Sequence, residues 1–294
     1  MSVALPTPNP NLRGIGFMIA SMGAITALDA TAKWLTDGYP ITEVVFFRSL
    51  FALLPVGVLA WREGGLTALR TTRLAAHALR ACIGVITTFL FFLALSLMPL
   101  ADATAIVFCG TLFVTALSVP LLGEKVGPRR WAAVLVGFLG AMVIVRPGMG
   151  VFGPAAMIAL AAAFCYALIV ISTRWLTRTE TTAALGFYYA ALGALISLAG
   201  LPFGWVLPTW TDLGLFVLLG LFGGVGTLLM IEAFRHAPVA VVVPFEYTAL
   251  IWATIYGYLI WHELPDGFTW LGAAILVASG LYVMHREHKT NGGD

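Results

Sequence analysis

The chain has 294 residues, of which 60% are hydrophobic and only 10% charged, with a mean hydropathy of +0.96 and a net charge of +2. Ordinary soluble domains carry about 25% charged residues, so a water-soluble globule of this composition would lack the polar surface it needs. The solvent for most of the chain is therefore lipid, and no nucleic-acid partner is expected.

Apolar blocks follow one another over residues 13–35, 42–61, 74–97, 100–122, 130–146, 153–175, 182–203, 212–235, 239–261 and 268–285. Most approach the roughly 20 apolar residues that a helix needs to cross a bilayer. None shows the period-2 alternation of barrel strands. Helices also satisfy their own backbone hydrogen bonds where no water is present. The predicted fold is an all-α membrane protein of ten transmembrane helices. The leading segment MSVALPTPNPNLR is too polar and proline-rich for a secretory signal, so the first span is expected to insert and stay.

Span 1 carries Asp29 near its outer end, with Lys33 four residues on, the spacing of a helical ion pair. Span 2 carries Arg48 a short way inside its outer end, after Glu43. Its long stem is expected to snorkel outward; if it points inward, it is the one arginine placed to meet a substrate carboxylate. Span 3 offers Phe91 and span 6 offers Tyr166 as aromatic candidates. Span 4 opens with Asp102, an acid that the helix dipole favours at that end. Thr104, Phe108, Thr111, Thr115 and Ser118 then recur at helical spacing, a stripe that suits either a polar cavity or close helix packing. Glu124 and Glu263 read as helix-start acids before spans 5 and 10. In span 8, GLFGGVGT (residues 220–227) reads as a close-approach surface; it lacks the lysine of a phosphate loop. Glu232, with Arg235 three residues on, reads as interfacial.

Span 9 contains VVVPFEYTALIW, residues 241–252. If it starts near Val239, Glu246 lies about 10 Å deep in the bilayer. An acid there is costly and faces a cavity or a partner. Pro244 removes a backbone donor two positions earlier and can bend the helix. Two roles are open to Glu246: binding a substrate amine as carboxylate, or exchanging protons. Trp131, Trp210, Trp261 and Trp270 near span ends fit interfacial belts. Cys82, Cys109 and Cys165 are far apart in sequence, so neither a metal site nor a disulfide framework is expected. The histidines are scattered at presumed span ends, there is no paired-acid or HExxH motif, and no cofactor is expected. An integral-membrane enzyme is the rival from another class.

With the first residues inside and ten alternating spans, Lys33 and Arg146 fall outside, Arg48 within span 2, and every other Lys and Arg inside. This is the positive-inside pattern, with both chain ends cytoplasmic. A repeat is also present. FFLALSLMPLADATAIVFCGTLFVTALSVPLLGEKVGPRRW, residues 91–131, aligns without gaps to MIEAFRHAPVAVVVPFEYTALIWATIYGYLIWHELPDGFTW, residues 230–270, at an offset of 139. Pro99 meets Pro238, Phe108 meets Tyr247, Glu124 meets Glu263 and Trp131 meets Trp270. KWLT at 33–36 meets RWLT at 174–177. Each half holds five spans, an odd number, so the second half, 150–294, should insert upside down relative to the first, 1–149. Such inverted repeats can open a central site first to one side and then to the other.

The paired proline–apolar span–glutamate–polar turn, MPLADATAIVF…LLGEKVGPRRW and APVAVVVPFEY…LIWHELPDGFTW, resembles the ten-helix EamA-type branch of the drug/metabolite transporter superfamily. Within it, the chain looks most like the YddG-type exporters of amino acids; riboflavin and S-adenosylmethionine carriers are also similar. The resemblance implies a basket of two inverted five-helix repeats around a central cavity lined by spans 1, 3, 4, 6, 8 and 9, with spans 5 and 10 outside. It implies an inner-membrane carrier of small organic solutes, without a cofactor, moving neutral amino acids or another metabolite or organic cation. The related four-helix pumps have a glutamate in their first helix, where this chain has only Asp29, so coupling to protons is left open. The expected substrate-binding residues are Glu246, Tyr247, Phe108, Thr104, Thr111, Arg48, Asp29, Phe91 and Tyr166.

Overall fold

The computed structural model describes residues 10–122, 128–145, 153–176, 179–237 and 242–291. Among the described residues the chain is helical with short connections and no strand. The helices are α1 (Pro10–Thr36), α2 (Ile41–Arg62), α3 (Leu74–Leu97), α4 (Leu100–Val107), α5 (Cys109–Leu122), α6 (Pro128–Val145), α7 (Gly153–Leu176), α8 (Thr182–Ser197), α9 (Trp210–His236), α10 (Thr248–Trp261) and α11 (Gly267–Asn291). α4 and α5 together make one crossing, and α10 belongs to one crossing with the preceding 3-10 turn Val243–Tyr247. The ten predicted crossings are thus all present. Seven segments meet the length and hydropathy of a full span, and residues 134–145 and 267–282 are shorter apolar helices.

Proline and short polar side chains set where the helices begin. Pro40 and Pro99 occupy the N-cap positions of α2 and α4 in extended conformation, where the missing N–H is no loss. Thr181 caps α8 by accepting from Ala184 N at 3.0 Å. Thr209 caps α9 by accepting from Asp212 N at 3.2 Å, and Asp266 Oδ1 accepts from Thr269 N at 2.9 Å at the start of α11. Each side chain satisfies a donor that the first helical turn leaves unpaired.

The packing follows a pattern. The strongest interfaces are α1 on α9, α6 on α11, α3 on α7 and α2 on α8, then α2 on α9, α5 on α7, α3 on α8 and α1 on α10. Exchanging each crossing for the one five places away maps α1–α9 onto α3–α7, α2–α9 onto α3–α8, and α5–α7 onto α1–α10. Other interfaces break the pattern: α1 and α2 pack on α3 and α5 packs on α6, whereas α7 with α9, α8 with α9, and α10 with α11 share no comparable interface among the described residues.

The glycines of α9 let helices approach as the sequence indicates. A Cβ on Gly224 would collide with the Pro55 ring, one on Gly220 with Phe51, and one on Gly226 would lie 2.7 Å from Ile25 Cγ1. The Ser21 hydroxyl donates to Gly226 O at 2.7 Å, which ties α1 to α9 at this seam. α10 is fixed to α1 by Trp252 Nε1, which donates to Ile19 O at 3.1 Å, and by the Tyr256 hydroxyl, which donates to Gly23 O at 3.3 Å.

Candidate functional site

Two crossings are interrupted, and they meet. The fourth breaks at Phe108, between α4 and α5, where the backbone tightens: Thr111 N donates to Phe108 O at 3.2 Å. The ninth is interrupted by a 3-10 turn, Val243–Tyr247, that contains Pro244; Val242 before it is α-helical, and the α-helix resumes at Thr248. Pro244 supplies no N–H, which accounts for the interruption. The rings of Phe108 and Tyr247, counterparts in the repeat, lie 4.9 Å apart at 40°. The Tyr247 hydroxyl approaches the Thr111 side chain, and Gly280 of α11 leaves the room this hydroxyl occupies.

Glu246 sits in the same turn, partly buried, and forms no hydrogen bond or ion pair among the described residues. Tyr166 of α7 and Tyr247 lie within electrostatic reach of it. Tyr166 packs over Gly110, where a Cβ would be 2.9 Å from its ring, and it also lies within electrostatic reach of Tyr189 on α8. The structure therefore gathers Glu246, Tyr247, Phe108, Thr111 and Tyr166 around the two interruptions. It does not bring Thr104 or Phe91 into that group by any contact. Thr104 is buried and its hydroxyl donates to Leu100 O at 2.7 Å; Phe91 packs against the core beside Phe92. The hydroxyl stripe of span 4 is turned on its own helix: Thr111, Thr115 and Ser118 donate to Phe108 O, Thr111 O and Thr115 O.

A second feature is a cavity of about 270 Å³ between α1, α2, α3, α8 and α9. Its walls include Leu28, Pro55, Gly220 and Gly224, and its polar groups include Arg48, Ser49, Arg80, Tyr189 and Thr227. It runs from mid-helix at Arg48 and Gly220 to Leu59 and Ile231, near the face at which α1 begins. This cavity lies among the first, second, third, seventh and eighth crossings, a different set from the spans 1, 3, 4, 6, 8 and 9 that the resemblance implies for a central one. The seam between α2 and α9, held close by glycines, leaves the space beside it.

Four expectations about charges are corrected by the geometry. Arg48 does not snorkel outward; it lines the cavity, and its Nε is buried without a hydrogen-bond partner. It is not the only arginine facing inward, because Arg80 lines the same cavity. Arg80 Nε donates to Thr173 Oγ1 at 2.9 Å, Arg80 Nη1 donates to Leu185 O at 3.1 Å, and its guanidinium lies 5.0 Å from the Tyr189 ring centre. Lys33 does not pair with Asp29. Its Nζ lies 2.7 Å from Glu263 Oε2, donates to Met98 O at 3.2 Å, and sits 4.7 Å from the Trp261 ring centre. Glu263, in the connection before α11, is thus a partner for Lys33 rather than a helix-start acid, and Trp261, at the end of α10, packs against Lys33. Asp29 instead lies within electrostatic reach of Arg48, without direct contact. Glu124 and the side chain of Arg235 lie outside the described residues.

Arg80 and Tyr189 were not singled out in the sequence. Arg80 lies inside the apolar block 74–97, three residues after His77, which is fully buried against Glu180 at 3.2 Å. A charged residue on the same helical face as a second polar one, inside an apolar block, is the signal that marks it.

The EamA-like transporter family matches residues 12–146 and again 153–284. The chain belongs to the EamA-like transporter family. An S-adenosylmethionine uptake transporter of Rickettsia bellii is 30% identical, covering 94% of this chain and 94% of that protein. A riboflavin transporter of Rhizobium johnstonii is 30% identical over 95% of this chain and 93% of its own, and a pseudopaline exporter of Pseudomonas aeruginosa is 27% identical over 90% and 94%. A solved crystal structure sharing 21% identity has the same fold, with a TM-score of 0.66 over 95% of this chain and 97% of that one. The EamA-like chain described here is accordingly a multi-pass membrane transporter of the drug/metabolite superfamily rather than an enzyme.

Proposed function

We propose that this chain carries a small metabolite with an amino-acid head group across the cell's inner membrane by alternating exposure of a central site. The observation that carries this reading is the meeting of two interrupted helices at Phe108 and Tyr247, beside an acid with no hydrogen bond or ion pair among the described residues. Interrupted helices at the interface of repeats, near mid-membrane, are where secondary transporters hold their solutes. In this reading Glu246 receives a cationic centre of the substrate, and Phe108, Tyr247 and Tyr166 present aromatic faces to it. Residues 1–149 and 150–294 are the two inverted halves, and the arginine-rich face is cytoplasmic.

Two of the relatives fit this chemistry unequally. S-adenosylmethionine is an amino-acid zwitterion attached through a sulfonium to a purine, so it offers a carboxylate, two cationic centres and a flat ring. It is the first solute to test, with L-phenylalanine as the simpler member of the class. A flat metabolite such as riboflavin is the second reading, favoured by the aromatic pair. The test is uptake of S-adenosylmethionine, L-phenylalanine and riboflavin into liposomes containing only this protein. Glu246→Gln is expected to lower the flux of S-adenosylmethionine about ten- to a hundredfold, the worth of a buried charge pairing of about 1.5–3 kcal/mol. Riboflavin flux with no amine-solute flux would favour the second reading; an undiminished Glu246→Gln protein would remove Glu246 from the site.

A further inference from the structure

We infer that the cavity between α1, α2, α3, α8 and α9 is an anion subsite, in which Arg48 holds the carboxylate of the transported solute. The inference rests on the transport reading above and names the group that the second part of the site recognises.

Arg48 forms no hydrogen bond or ion pair among the described residues, and its Nε is buried. A guanidinium kept inside a bundle without a partner is costly. Asp29 is close enough to act on it electrostatically, but no hydrogen bond or ion pair joins the two among the described residues. Arg80, at the other side of the same cavity, is a different case. Two of its nitrogens are engaged by Thr173 and Leu185, and its plane faces Tyr189. Arg80 therefore adds positive potential, while Arg48 retains its donor fork. A guanidinium fork matches a carboxylate in two parallel hydrogen bonds, which a lysine cannot reproduce. Ser49, adjacent in sequence and also lining the cavity, adds a hydroxyl.

Size and connection narrow the ligand. At about 270 Å³ the cavity falls below the roughly 300–1,000 Å³ of sites that enclose a drug-sized ligand. It takes a head group, and the rest of the solute must lie elsewhere. Tyr189 lines this cavity and lies within electrostatic reach of Tyr166, which in turn lies within reach of Glu246. Tyr189 at the cavity wall and Tyr166 near Glu246 lie between the arginine end and the acid end. S-adenosylmethionine, whose sulfonium lies several bonds from its carboxylate, can turn a cationic centre toward the acid while Arg48 holds the carboxylate; the amine of L-phenylalanine, on the carbon that bears its carboxylate, stays at the arginine end; a neutral flat molecule leaves Arg48 unpaired.

The experiment compares solutes that differ by the carboxylate alone: S-adenosylmethionine against its decarboxylated form, and L-phenylalanine against phenethylamine. Binding is read as the thermal shift of the purified full-length protein in detergent, and flux is read separately in liposomes. In the wild type, the carboxylate member of at least one pair is expected to bind at least about tenfold more tightly. Arg48→Gln should bring the two members together, and Arg48→Lys should retain part of the difference. Equal affinity of both members in the wild type, no shift from either carboxylate probe, or a difference that survives in Arg48→Gln would overturn the subsite. If Arg48→Gln fails to fold, the wild-type comparison decides alone. Carboxylate-selective binding without flux of any solute would sink the transport reading and leave the subsite standing; flux of riboflavin with no carboxylate-selective binding would do the reverse.

Discussion

Lys33 shows at the scale of a single residue how a charge is redirected by the fold. Four residues from Asp29 in sequence, it instead bonds Glu263 and Met98 O and lies against Trp261. Three crossings are drawn together by one ammonium at the face opposite the start of α1. Its side chain is 9% exposed but that of Glu263 is 31% exposed, so solvent screens the pair. A double-mutant cycle with Lys33→Met and Glu263→Gln, read by thermal unfolding, is expected to give a coupling of about 1 kcal/mol. A coupling of zero would mean that packing alone holds this face shut. The pairing was not legible because i,i+4 spacing fixes only which residues can meet on one helix. Lys33 and Glu263 are 230 positions apart and meet only after the tertiary fold forms. Arg48 was misread for a related reason. A long side chain near a span end has two directions open to it, and only the packing of α8 and α9 shows that it turns inward. Glu246 was legible because an acid deep in an apolar run, beside a proline, has few structural explanations.

Whole helices were more readable than their interruptions. Ten apolar blocks of about the right length translate directly into ten crossings. The late start of α10 follows from Pro244, visible in the sequence. The break at Phe108 has no proline, and hydropathy runs through it unchanged. It becomes apparent only from the backbone hydrogen bond of Thr111 N to Phe108 O. The glycine run of α9 belongs to the same scale, since its meaning as a contact surface was evident from composition alone. Gly224→Leu would drive a side chain into Pro55 of α2. It is expected to destabilise the protein by about 1–3 kcal/mol, the typical cost of overpacking, seen as a lower unfolding midpoint in detergent. Gly214, whose added Cβ would meet nothing within 4 Å, is the control: Gly214→Ala should leave the midpoint nearly where it was.

At the scale of the whole molecule, the repeat in sequence reappears as paired interfaces: α1–α9 with α3–α7, α2–α9 with α3–α8, and α5–α7 with α1–α10. The pairing is incomplete: α1 rests on α3, while α7 and α9 share no comparable interface among the described residues, and α9 borders the cavity beside α1, α2, α3 and α8. With two halves of similar sequence, exchanging which of them adopts each arrangement would move the opening to the other face at little net cost. A disulfide that locks one arrangement should therefore abolish transport without preventing binding.

Counterflow distinguishes such a carrier from a pore or a scaffold. Liposomes holding only this protein are loaded with unlabelled S-adenosylmethionine, and entry of labelled S-adenosylmethionine is followed, with L-phenylalanine and riboflavin run in the same way. Alternating exposure of one site predicts saturable entry of at least one solute, accelerated by the same solute inside. Entry that never exceeds that of protein-free liposomes, or that is indifferent to the internal load, would contradict it.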